Sequence, residues 1–323
     1  MNSPRNFAGC PGRVSAAGVA LGLALLAGTL LTGAMGLAAE DAAHPFVIVQ
    51  PGYAGSTKDA EQFVAQVSEY LEAKTGLKGV AGEYHNEPAA AKKAIETLRP
   101  QFGIVSVGYY LEHREELGLK PLLESSPGDR LVIVTRKGDV KDASALKGEP
   151  VAGGPLYDLP FLDRIAFRGK AEPLTWDAKP VLYISRALRD LADRNKYRAV
   201  VLTGKDYEAL APLYATKSVE KFLESEYYPP AFLVAFHAQP ATEKGGTAKA
   251  KEKEAKEKED RENPAPPKLS EETVDKVRRA FSDLAVDSSG KKILETMGAE
   301  GFRAIRPDWL KDLEVKYASA EKK

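Results

Sequence analysis

A short β-branched run followed by a segment with apolar residues at helical spacing recurs along this chain, and then the series starts again. Phe46 to Val49 is the first such run, and Phe63, Val64, Val67 and Leu71 follow at helical intervals until Gly76 closes the segment. Val80 to Tyr84 repeats the strand signal. Pro88 stands where a first helical turn accepts proline, and Ala91, Ile95 and Leu98 mark one face up to Pro100. "FGIVSV" (102–107) and the helical "YYLEHREEL" form the third unit, ended by Gly118. Strands alternating with helices predict α/β architecture with parallel sheets.

From Leu131 to Thr135 a new buried strand leads into a second series. It runs through "SALKG", the strand "PVAGG", the helical "LDRIAF", the strand "VLYIS", the helix "RALRDLADRN" and the strand "YRAVVLTG". "AFLVAF" returns to strand character after "SEYYPP". Near the C-terminus Leu269 and Val274 flank Ser270 as a hydrophobic staple around an N-cap, and Val277, Phe281 and Leu284 continue that face. "SSGKKILETMGAEGF" predicts one more helix ending at Gly298, and "PDWLKDLEVKY" a last amphipathic piece.

Two stretches stand outside this pattern. In residues 1–39, Arg5 and Arg13 precede an apolar run from Val19 to Leu31 and small residues at Gly36, Ala38 and Ala39, which reads as a secretory signal peptide. The apolar run is short and glycine-rich for a membrane span, so the expected product is an exported, periplasmic protein. Cys10 is the only cysteine and is lost with the signal, leaving no disulfide, thiol nucleophile or cysteine ligand. The remaining 44 basic and 46 acidic residues give a net charge of −2, which offers nucleic acid no electrostatic footprint. The second stretch, residues 241–268, carries eight basic and seven acidic side chains and almost no large apolar ones. Such a segment cannot bury enough surface to offset its chain entropy, and reads as a charged disordered insertion.

The order of the segments resembles the type II periplasmic solute-binding proteins of ABC importers, in their phosphate-, phosphite- and phosphonate-binding branch. The resemblance rests on "QFGIVSVGYYL", on "LVIVTRKGDVKDASALKGEPVAGG" and on "DSSGKKILETMGAEGFRAI", together with the opening strand and turn. It implies a two-lobed fold, each lobe a mostly parallel sheet flanked by helices, with two crossovers as a hinge. Lobe 1 would comprise 44–135, 229–240 and 269–323, and lobe 2 would comprise 136–228. The hinge would lie near Thr135 and Tyr228. The implied function is to close over a small, phosphonate- or phosphate-like solute and deliver it to an inner-membrane ABC permease. The alternative is a non-transport sensor or adaptor on the same fold with a different small organic ligand, which senses that solute or docks on a membrane partner. One departure bears on the ligand. Where phosphonate-type members carry a Ser/Thr-rich turn, this chain reads "GGPLYDLPF", in which Pro155 has no N–H to give and Asp158 repels an anion.

In open α/β lobes ligands bind beyond the carboxyl ends of the strands. The turns 51–57, 106–110 and 153–158 fall there, with Ser185 and Thr203 to Lys205 as further strand-end candidates. Ser56 or Thr57 can cap the first helix, and with Gly52 and Gly55 the free N–H groups of that helix start can receive an anionic group. Ser106, Gly108 and Gly154 complete the polar side of the expected site. Tyr53, Tyr109, Tyr110 and Tyr157 supply aromatic walls suited to a small organic solute, or to cleft-edge packing. His85 with Glu87 and His113 with Glu115 lack the spacing of a metal pair on one helical face. No nucleotide loop, nucleophile elbow or zinc-protease helix is present, so neither cofactor nor catalytic residue is expected.

Overall fold

The computed structural model describes residues 44–52, 57–171, 174–214, 219–237 and 269–320. The expected signal peptide and charged insertion lie outside the described residues. Strands are numbered in chain order. The first sheet contains β1 (His44–Val49), β2 (Val80–His85), β3 (Phe102–Ser106), β4 (Leu119–Ser126), β10 (Ala231–Phe236) and β11 (Gly301–Arg303), in the order β11-β4-β10-β3-β1-β2. The second contains β5 (Leu131–Arg136), β6 (Pro150–Gly153), β7 (Asp177–Pro180), β8 (Ala199–Thr203) and β9 (Val219–Glu224), in the order β7-β6-β8-β5-β9.

Both sheets are mixed where the alternation pattern predicts mostly parallel ones. β1 pairs in parallel with β2 and β3, and β6 in parallel with β7 and β8, because helices return the chain between these strands. β10 runs antiparallel to β3 and β4, and β5 antiparallel to β8 and β9. These are the strands on which the chain passes from one sheet to the other and back. β5 therefore belongs to the second sheet, and the outward crossing lies at 127–130 and not at Thr135. There Asp129 and Tyr228 exchange two backbone hydrogen bonds of 2.8 and 2.9 Å, which tie the outgoing and returning strands together. A second correction concerns "VLYIS". The strand is β7, and it ends at Pro180. The chain turns through Leu182 and the exposed Tyr183, and the next helix starts at Ile184. A five-residue apolar run cannot by itself place a strand.

The helices are α1 (Thr57–Thr75), α2 (Pro88–Leu98), α3 (Val107–His113), α4 (Ile184–Ala192), α5 (Gly204–Tyr214), α6 (Glu271–Ser282), α7 (Ser288–Met297) and α8 (Pro307–Ala320). An irregular helical stretch, Pro155–Asp158, Leu159–Phe161 and Leu162–Ala166, follows β6. Local chemistry accounts for many of the ends. Ser106 caps α3 through the Tyr109 amide, Ser270 caps α6 through Thr273, and Asp287 caps α7 through Ser289 and Gly290. Gly298, with φ +61°, closes α7 in the left-handed region.

One face of the first sheet packs Phe46, Ile48, Phe102 and Leu233 against α1, α6 and α7. Its other face, with Val47, Val49 and Phe232, is continuous with Leu131, Ile133, Val151 and Phe161 of the second lobe. Helix α8 joins both. The Tyr110 hydroxyl donates to Glu314 at 2.6 Å, the Arg164 guanidinium lies 4.7 Å over the Tyr317 ring, and Arg168 donates to the Lys316 carbonyl at 3.2 Å. The two lobes thus share a third tie besides the two crossings.

Candidate functional site

The carboxyl ends of the central strands of both sheets point at one another, and between them lies a cavity of about 590 Å³, within the range of small-molecule sites. The first lobe contributes Gln50 to Gly52 after β1 and Ser106 to Gly108 after β3. The second contributes Gly154, Pro155 and Asp158 after β6, and Thr203, Lys205 and Asp206 after β8. Asp129 and Tyr228 line the crossing side, Phe161, Leu162 and Tyr183 the apolar wall, and Glu295 and Thr296 reach in from α7.

Two glycines let the lobes meet. Gly52, at φ +78°, lies so close to Gly154 that an added Cβ would fall 2.2 Å from the Gly154 carbonyl oxygen. An ordinary residue there would hold the strand-end turns apart. Gly108 plays the same part for Asp158: a Cβ on it would fall 2.7 Å from the Asp158 carboxyl carbon. That close approach allows the Ser106 hydroxyl to donate to Asp158 Oδ2 at 2.9 Å, a hydrogen bond directly across the cleft. Ser106 therefore serves twice, accepting from the Tyr109 amide as helix cap and donating to the opposite lobe.

The residue Asp158 is only partly buried as a whole, but its Oδ1 is shut off from water and has no hydrogen-bond partner among the described residues. Loss of hydration pushes its carboxyl up to about 7; the Ser106 hydrogen bond opposes this and the charge of Glu112 adds to it. Asp129 is raised for the same first reason, burial, which outweighs the opposing backbone amides of Arg130 and Lys205 and the Lys205 charge, while Asp206 adds to it. The Thr203 hydroxyl donates to Asp206 at 2.9 Å and caps α5 by accepting from the Asp206 amide at 3.0 Å.

The structure brings together Ser106, Gly108, Gly154 and Ser185 of the expected site, although Ser185 sits in the first turn of α4 and not at a strand end. Tyr53, Gly55 and Ser56 lie outside the described residues, as does the side chain of Thr57 at the start of α1. Tyr109 is fully buried, its ring 4.4 Å from that of His113, and its hydroxyl has no hydrogen-bond partner among the described residues; burial raises the phenol. It belongs to the core and not to the wall. Tyr110 faces α8. Tyr157 borders a smaller cavity of about 410 Å³ with Tyr183 and Tyr197. Sequence reasoning missed Gln50, Asp129, Phe161, Asp206 and Glu295. Asp206, three residues after β8, was legible on the strand-end rule, whereas Asp129, two residues before the amino end of β5, and Glu295, in mid-helix, carried no such signal. His85 pairs with Glu83 and His113 with Glu116. Among the described residues no group of three or more His, Cys, Asp or Glu could hold a metal, and no helix is long and apolar enough to cross a membrane.

No family model and no curated protein sequence matches the chain. Solved structures do. XAC2383 from Xanthomonas citri bound to chloride ion aligns with a TM-score of 0.61 at 12% identity, over 86% of this chain and 98% of that one. PhnD1 from Prochlorococcus marinus in complex with methylphosphonate aligns with a TM-score of 0.59 at 13% identity, over 87% and 100%. A binding protein component of an ABC phosphonate transporter from Pseudomonas aeruginosa aligns with a TM-score of 0.55 at 12% identity, over 85% and 87%. At such identities the likeness concerns architecture: the chain has the two-lobed fold of the type II periplasmic binding proteins.

Proposed function

We propose that this chain is an exported, periplasmic solute-binding protein that closes its two lobes over a small solute and presents it to the membrane permease of an ABC importer. One observation carries the reading: the strand ends of both sheets converge on a single cavity, and side chains from opposite lobes, Ser106 and Asp158, meet across it. Closure is driven by the higher affinity of the closed state for the solute. The phosphonate-transporter neighbour supports the importer role.

For the solute, the methylphosphonate-bound neighbour favours an oxyanion, whereas the cleft's own carboxylates do not. An oxyanion beside Asp158 requires that carboxyl to be protonated, so that Oδ1 offers a proton and not a second charge. A second reading, a sensor or adaptor with little lobe movement, gains support from α8, whose contacts with both lobes stiffen the junction. Small-angle scattering separates the two. The mature protein should lose radius of gyration when a solute saturates it, by rotation about Asp129 and Tyr228; an unchanged radius with a tightly bound solute would point to the rigid platform.

A further inference from the structure

We infer that Asp158 determines the specificity of the cleft, and that the solute it selects is a small organic ammonium, not an oxyanion. The inference rests on the solute-binding reading and names the ligand class for that same cavity.

A carboxylate oxygen removed from water without a donor is unfavourable; among the described residues Oδ1 of Asp158, a residue that lines the cavity, has no donor, while Oδ2 is already held by Ser106. A bound N–H donor would supply it. The donor's charge follows from the other groups that line the space. Asp129, Asp206 and Glu295 are acidic, and Lys205 is the one base among the lining residues described. Behind Asp158, on α3, Glu112 adds another negative charge, and Ser106 and Gly108 are neutral. A cation entering this space is attracted by every carboxylate that an anion would meet as a like charge. The cavity also has an apolar and aromatic lining, with Phe161, Leu162, Tyr183 and Tyr228, which suits the organic part of such a solute and can face an ammonium with a ring.

The test uses the mature wild-type protein and the Asp158→Asn variant. In the variant the amide oxygen can still accept from Ser106, so the fold and the cross-cleft bond are kept. Ethanolamine, choline and putrescine are compared with phosphate, methylphosphonate and acetate by thermal melting and calorimetry. The expected result is that at least one ammonium probe stabilises the wild type, that its affinity falls roughly thirtyfold or more in Asp158→Asn, and that it tightens as pH rises through about 7, where Asp158 ionises. Stabilisation by phosphate or methylphosphonate, tightening as pH falls, would overturn the ammonium assignment and leave solute binding standing. Ammonium binding of equal strength in Asp158→Asn would overturn the role of Asp158. Absence of binding by all six probes to either protein would overturn this inference together with the reading beneath it.

Discussion

Glu124 on β4 and Asp158 beyond β6 each carry one carboxylate oxygen that is shut off from water and has no hydrogen-bond partner among the described residues, yet their second oxygens are met differently. Glu124 Oε1 receives the guanidinium groups of Arg303 at 2.8 Å and Arg306 at 3.0 Å, so the charge is balanced by cations from the C-terminal segment that packs over β4. Asp158 Oδ2 receives one neutral hydroxyl. Glu124 is fully buried, and Arg306 is further seated 4.7 Å over the Trp309 ring. The first carboxylate joins two parts of one lobe. The second stands at the boundary between lobes with its charge uncompensated, an arrangement that costs stability and is retained where a proton or a ligand can supply the missing partner.

The largest expected effect is on the pH dependence of stability. Asp158 holds its proton more tightly folded than unfolded, so its contribution is fully present below about pH 4 and is lost as pH rises through about 7. The fall attributable to this one group is on the order of 4 kcal/mol at most. Urea unfolding of wild type and Asp158→Asn across pH 4 to 8 measures it as the difference between the two curves, since other carboxylates titrate equally in both. Coincident slopes would mean that Asp158 is compensated after all and that the contrast with Glu124 fails.

A smaller effect is expected from Glu124→Gln, which removes the charge facing both arginines. Because Arg303 and Arg306 are about half exposed, solvent recovers part of the loss. The expected cost is about 2 kcal/mol, measured as a lower urea midpoint at unchanged slope, and without change in solute affinity. A change in affinity would show that the two carboxylates are coupled through the sheet.

The smallest concerns Glu314, which lies between the two cases, partly exposed and met by the buried Tyr110 hydroxyl and the more distant Arg114. Tyr110→Phe should cost about 1 kcal/mol. If α8 restrains the lobes, the same variant should also increase the compaction that a saturating solute produces in small-angle scattering. Loss of stability with no change in compaction would make α8 a packing element only.

The alternation of β-branched runs with amphipathic helices was sufficient to place β1 to β3, β5, β6, β8 and β10, the helices α1 to α4 and the caps at Ser270 and Gly298, though not α5, because period and capping are local properties of a few consecutive residues. β4 ("LKPLLESS") and β9 ("VEKFLE") escaped notice, since Pro121 interrupts the first and charged residues the second, and each is held in place by a neighbouring strand distant in sequence. The same distinction runs through the site. The strand-end rule pointed to Ser106, Gly108, Gly154 and the sign of Asp158. It could not show that the hydroxyl of Ser106 meets that carboxyl across 52 residues of sequence, or that Tyr109 turns inward. Nor could it show that Glu295 arrives from a helix more than a hundred residues after β6. Those facts depend on how two sheets are set against each other, and that is decided by the shared core of Val49, Ile133, Phe161 and Phe232, packing between residues that no local pattern relates.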